Sequence, residues 1–157
     1  MSLATIRAAI EATLTGVTGI GAVHDYERYA KTNAELAALY ASGGRLHGWH
    51  FYREATAEED LNNGEVRRLH RWKIRGFMNL DDADATGILF DDLVEAIATA
   101  FRVDPTLGGV CLANKNLDQE FGPSGIQVES ITPVMFANVL CHRAELVLIT
   151  ETTEPVV

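Results

Sequence analysis

The chain has 157 residues, 47% of them apolar and 22% charged, and a formal net charge of −9. That length and composition set one globular domain, residues 1–157, with enough volume for a real core. The negative balance argues against general nucleic-acid binding, which depends on Lys and Arg neutralising phosphates.

Residues 3–17 place Ile6, Ala9, Ile10, Thr13, Leu14 and Val17 at helical spacing, with Ser2 as N-cap and Gly16 and Gly19 as the stop. Residues 22–28 read as a short extended segment. Residues 33–42 read as a short helix capped by Asn33, with Leu36, Leu39 and Tyr40 on its apolar face. The aromatic-rich residues 45–54 and the residues 66–78 read as strands of an antiparallel hairpin. The polar stretch 55–65, with Asn-Asn-Gly, reads as a long, exposed, acidic loop at its end.

Residues 86–102 carry the strongest helix pattern, with Leu89, Leu93, Val94, Ile97 and Phe101 in one stripe and Asp84 or Thr86 as the cap. Asp104-Pro105 ends it, because a residue before proline avoids helical geometry. Residues 107–112 suggest a short strand, 122–125 a loop, and 126–132 and 134–150 two further strands. The last of these is apolar on both faces, so it should be a central strand covered on both sides. Residues 151–157 read as a flexible tail. The expected class is α+β: a mostly antiparallel four- to five-stranded sheet, two main helices packed on it, and a protruding hairpin loop.

Candidate chemistry is sparse. His47, His50 and His70 all fall on the hairpin, but His47 and His50 are three apart on a strand and point to opposite faces. They cannot bind one ion together without a bulge, and a metal site needs three or four converging ligands. The Asp81-Asp82-Ala83-Asp84 run lacks the glycine and spacing of a calcium loop, and reads as an acidic turn favouring the next helix's dipole. Ser124 in Gly-Pro-Ser-Gly is not a nucleophile elbow. Cys141 and His142 are adjacent, point to opposite faces and form no dyad. Gly16, Gly19 and Gly21 do not fit a dinucleotide fingerprint. Cys111 and Cys141 are the only cysteines, and two reduced thiols are expected. No apolar run approaches the ~20 residues of a membrane span, and the first residues lack the pattern of a signal peptide. No cofactor, metal, catalytic residue or membrane association is expected.

Charge is sorted along the chain. Five basic residues and no acid lie in 67–78, whereas six acids and no base lie in 79–95, so the two stretches have opposite surfaces to offer. Arg71, Lys73 and Arg75 share one strand face, which is either solvated or a patch for an acidic surface. Glu58, Glu59, Asp60, Asp81, Asp82, Asp91 and Asp92 on a second copy would supply that surface, which would aid register and rate more than affinity.

Three stretches carry a family resemblance: IRAAIEATLTGVTGIGAVHDYERY, HRWKIRGFMNLDDADATGILFDDLVEAIATAF and MFANVLCHRAELVLITE. In pattern and order they resemble the tail terminator, or tail completion, proteins of tailed bacteriophages and prophages. The resemblance implies a non-enzymatic α+β subunit of a ring, typically a hexamer. Such a ring caps the tail tube, ends its polymerisation and joins it to the head–neck connector. The implied partners are further copies, the tail tube protein, neck proteins and, in contractile tails, the sheath. DNA would pass the lumen without specific binding. The implied location is the virion tail, and the host cytoplasm during assembly. Two other classes stay open: a small metal-dependent or ligand-binding enzyme with a pocket joining His47, Asp81 and another histidine, and an interaction adaptor with no phage role.

Overall fold

The computed structural model describes residues 2–112 and 125–156. The elements are α1 (Leu3–Thr15), β1 (Ala22–His24), α2 (Asn33–Leu39), β2 (Ala41–Ser42), β3 (Arg45–Asp60), β4 (Glu65–Asn79), α3 (Thr86–Val103), β5 (Gln127–Phe136) and β6 (Val139–Pro155). The class is α+β, as expected. The sheet runs β1-β3-β4-β6-β5, with β2 paired to β3, so it has six strands rather than four or five. It is mixed: β1 is parallel to β3 and every other pairing is antiparallel.

Helices α1 and α3 cover one sheet face. The Ser2 hydroxyl caps α1 by accepting from Thr5 N, and Ile6, Ile10 and Leu14 are fully buried. In α3 the buried stripe is Phe90, Leu93, Val94, Ile97 and Phe101, whereas Leu89, expected inside, is 52% exposed. Leu89 and Phe90 are adjacent, and either fits the i, i+3, i+4 spacing with the residues that follow. Stacking decides between them: Phe90 lies 5.8 Å from the Trp49 ring. Trp49 in turn lies over Gly76, directly across the β3–β4 pair, where a Cβ would collide with the indole.

The opposite face is covered by α2. Tyr40 at its end is fully buried against Phe77 and Phe136, and a Cβ on Gly48 would lie 2.9 Å from the Tyr40 ring. Thr32, not Asn33, caps α2, and the segment expected to continue the helix to residue 42 instead turns at Leu39 into β2. Ala41 and Ser42 pair back onto Leu46 and Arg45 through the Gly43-Gly44 turn.

Four expectations about strand limits are corrected. The long acidic loop at 55–65 is mostly strand: β3 runs to Asp60, β4 starts at Glu65, and only a tight turn separates them. Cross-strand ion pairs, Glu58 with Arg68 and Glu59 with Arg67, take the place of apolar alternation there. The supposed tail from 151 is strand too, since β6 pairs with β4 all the way from Asn79↔Cys141 to Glu65↔Pro155. The single strand expected over 134–150 is a hairpin: Ala137 and Asn138 both have positive φ (51° and 63°), the geometry of a two-residue turn that follows strand twist. Finally, 107–112 is a turn from which only Leu112 bridges to Glu151. Of the expected loop at 122–125, residues 122–124 lie outside the described residues, as does Ser124.

The turn before α3 also differs from expectation. Ala85, in a left-handed conformation (φ 52°), precedes the helix with no side-chain cap, and no acid sits in the first turn. Asp81 organises the turn instead, its Oδ1 accepting from Ala83 N and Asp84 N, while Thr86 Oγ1 accepts from Asp81 N at 3.0 Å.

Gly76 does not have a positive φ, so replacing it tests packing alone. Gly76→Ala is expected to cost about 1–3 kcal/mol by overpacking the Trp49 site, read as a lower urea midpoint at unchanged slope.

Candidate functional site

Arg71, Lys73 and Arg75 do share one face, the one opposite α1 and α3, but each already has a carboxylate within the chain. Arg71 Nε donates to Glu54 at 3.0 Å and its guanidinium lies 3.7 Å from Glu129. Lys73 Nζ donates to Glu129 and lies 4.0 Å from Glu145. Arg75 Nε donates to Glu145 at 3.0 Å. Further up the face, Arg67 donates to Glu151 at 2.7 Å and Glu59 at 3.1 Å. The ammonium of Lys73 is nearly enclosed, and it holds the Glu129 carboxyl below the usual carboxylate range. This face is a closed ladder of alternating sign. Charge reversal at Arg71, Lys73 or Arg75 would break intrachain pairs before it touched any contact between copies.

The proposed acidic partners divide into two groups. Glu58 and Glu59 are held across the hairpin by Arg68 and Arg67. Asp60 is spent on its own turn, accepting from Asn62 N at 2.8 Å. Asp81 and Asp84 face Arg45, at 3.5 and 2.8 Å. Asp82, Asp91 and Asp92 are exposed, and among the described residues none of them has an ion-pair partner. Asp91 and Asp92 lie on the outer side of α3 beside Ile88 and Leu89, which are 67% and 52% exposed. Sequence reasoning missed Glu54, Glu129, Glu145 and Glu151. Glu145 and Glu151 sit at the strand parity of Arg143 and Cys141, which was a usable signal. Glu54 and Glu129 reach the ladder through β-bulges, at Arg53/Ala55 and Val128/Ser130, which period-two counting does not reveal.

His24 and His50 are register partners on β1 and β3, and the other three histidines lie elsewhere on the sheet. His24 Nε2 lies 2.6 Å from Leu39 O; His50 Nδ1 lies 2.9 Å from the Tyr40 hydroxyl; His70 Nδ1 lies 2.9 Å from Thr56 Oγ1; His142 Nε2 lies 2.9 Å from Thr86 Oγ1. Among the described residues no three His, Cys, Asp or Glu side chains are grouped to hold a metal. Cys111 and Cys141 are free and buried, and burial pushes both thiols up to about 11. His47 faces a cleft of about 450 Å³ between the end of α1, β2 and α3. Apolar Met78, Leu89 and Leu93 line it, with Arg45, Asn79 and Asp92 among the polar walls. Its lining holds neither Asp81 nor a second histidine. The His47 Nε2 is buried with no hydrogen-bond partner, and desolvation holds the ring's pKa down.

No family model matches this sequence, and comparison with curated proteins finds no similar one.

Two measurements follow from these charges. Glu129→Ala leaves the enclosed Lys73 with only the 4.0 Å Glu145 contact, whereas Lys73→Met leaves carboxylates that water can reach. The Glu129 variant is expected to be the less stable of the two by about 1–3 kcal/mol in chemical denaturation. Burial lowers His50 and His70 from 6.5 to about 4. Between those values the unfolded chain holds protons that the folded chain refuses, so stability falls as pH drops through that window and is level above it. In urea titrations from pH 7 to pH 4, His70→Gln is expected to flatten this fall.

Proposed function

We propose that the chain is a ring-forming subunit of the tail-terminator kind, which caps a phage tail tube and presents a face to the neck. The observation that carries this reading is the outer side of α3. There Ile88 and Leu89 are exposed next to Asp91 and Asp92, carboxylates with no ion partner among the described residues. Exposed apolar side chains with a charged rim suit a protein–protein contact. The order of helix, hairpin, helix and closing strands supports the same reading, because it is the order that the resemblance rests on. The contact surface is better placed on α3 than on the Arg71–Lys73–Arg75 face, whose charges are satisfied internally. A net charge of −9 suits a lumen that passes DNA without gripping it. The partners on this reading are further copies in a ring, typically six, the tail tube protein, neck or connector proteins and, where the tail contracts, the sheath. The protein acts in the virion tail after assembly in the host cytoplasm, and it performs no catalysis.

Negative-stain microscopy of the purified protein, alone and mixed with tail tubes, tests this. Rings of one diameter seated on tube ends are the expected result. Tubes that lengthen unchecked and carry no added density at their ends overturn it.

A further inference from the structure

Two features at separate places on the chain have unmet requirements. The cleft beside α3 has apolar walls in Met78, Leu89 and Leu93, a buried His47 Nε2 without a partner, and Asp92 without a cation. The segment between β1 and α2 carries Tyr29, 79% exposed, and two residues on the exposed Lys31, which among the described residues has no ion pair. This segment is anchored, because Arg28 N donates to the Tyr40 hydroxyl at 3.2 Å and the Arg28 guanidinium sits over Tyr26. Tyr40 packs on the sheet face opposite α3, so the segment and the cleft belong to different sides of the molecule.

We propose that the cleft beside α3 receives Tyr29 and Lys31 of a second copy of this chain. The Tyr29 ring fills the apolar part between Met78, Leu89 and Leu93, a turn of the His47 ring brings its buried Nε2 to accept from the Tyr29 hydroxyl, and Lys31 meets Asp92. Tyrosine suits the place, having a large apolar body and one polar tip. The Lys31–Asp92 pair is exposed, so it sets register more than strength. The two patches differ, so the contact is head-to-tail, and repeated it closes into a ring or runs on as a filament. The proposal rests on the ring reading above and names the surfaces that build the ring.

Disulfide trapping with the full chain tests it. Ala30→Cys, beside Tyr29, and Ala96→Cys, on the wall of the cleft, are made separately so that the contact itself is kept, and the two native cysteines stay buried and silent. Under mild oxidation a mixture of the two variants should give linked dimers, and neither variant alone should, both in solution and on tail tubes. In parallel, Tyr29→Ala should weaken self-association about tenfold or more in sedimentation, and Asp92→Lys, which sets an ammonium group against Lys31, about two- to fivefold. The exchanged pair Lys31→Glu with Asp92→Lys should restore it. Absence of the linked dimer in both settings, or association unchanged by Tyr29→Ala in a variant with native circular dichroism, overturns the proposal. Capped tubes without the linkage discard this contact and keep the terminator reading. Linked oligomers that ignore tubes do the reverse.

Discussion

The antiparallel ladder between β4 and β6 is the constraint on which the other elements depend. It runs from Glu65↔Pro155 to Asn79↔Cys141, and it places both strands inside the sheet, flanked by β3 and β5. An interior strand has two faces to cover, and α1 and α3 can cover only one. That face took the large apolar side chains: Trp49, Trp72, Phe51, Ile74 and Leu146 are each fully buried. Trp72 shows how the polar atoms are managed there, its Nε1 donating to Thr150 Oγ1 across the ladder at 2.9 Å.

The second face is covered by two different means along its length. Near the α2 end, Tyr40, Phe77, Leu46 and Cys141 form a small apolar cluster. Further along, no helix of the described residues lies over the strands, and Val147 and Ile149 are nonetheless buried, at 2% and 5% exposure. The stems and paired heads of Arg71, Lys73, Arg75 and their glutamates shield them. Each exposed pair contributes little, on the order of 0–1 kcal/mol. Lys73 differs, because its ammonium is nearly enclosed and leaving it alone would incur the desolvation cost. The face is therefore finished: its charges are balanced and its apolar atoms are out of reach.

How much of this could be read in advance depended on what covers each element. Helices α1 and α3 and the core halves of β3 and β4 carry a period, because one side of each meets a core, and their positions were legible from Ile6, Ile10, Leu14, Val94, Ile97 and Phe101. Where the hairpin end leaves the helices behind, strand residues no longer need to alternate, so Glu58–Asp60 and Glu151–Pro155 resembled loop and tail. The hairpin turn at Ala137–Asn138 was hidden for a related reason. Apolar residues flank it on both sides, and its first residue, alanine, seldom adopts positive φ. The charge pattern was legible as a one-sided basic face, but not as a satisfied one, since Glu54 and Glu129 arrive through bulges and Glu129, Glu145 and Glu151 come from β5 and β6, far along the chain.

That difference moves the functional argument from one side of the molecule to the other. A chain with this many charges offers a binding surface only where they have stayed unpaired or where apolar atoms have stayed exposed. The basic strand that stands out in the sequence meets neither condition. The outer side of α3 meets both, with Ile88 and Leu89 beside Asp91 and Asp92, and so does the Tyr29–Lys31 segment on the far face. A ring needs two unlike surfaces on each subunit, facing different neighbours. These two patches are unlike in chemistry, and they are separated by a sheet whose central ladder lies between them. On the proposed reading, the ladder's ion pairs serve assembly by closing the large face between the patches, so that this face does not compete with them for a partner.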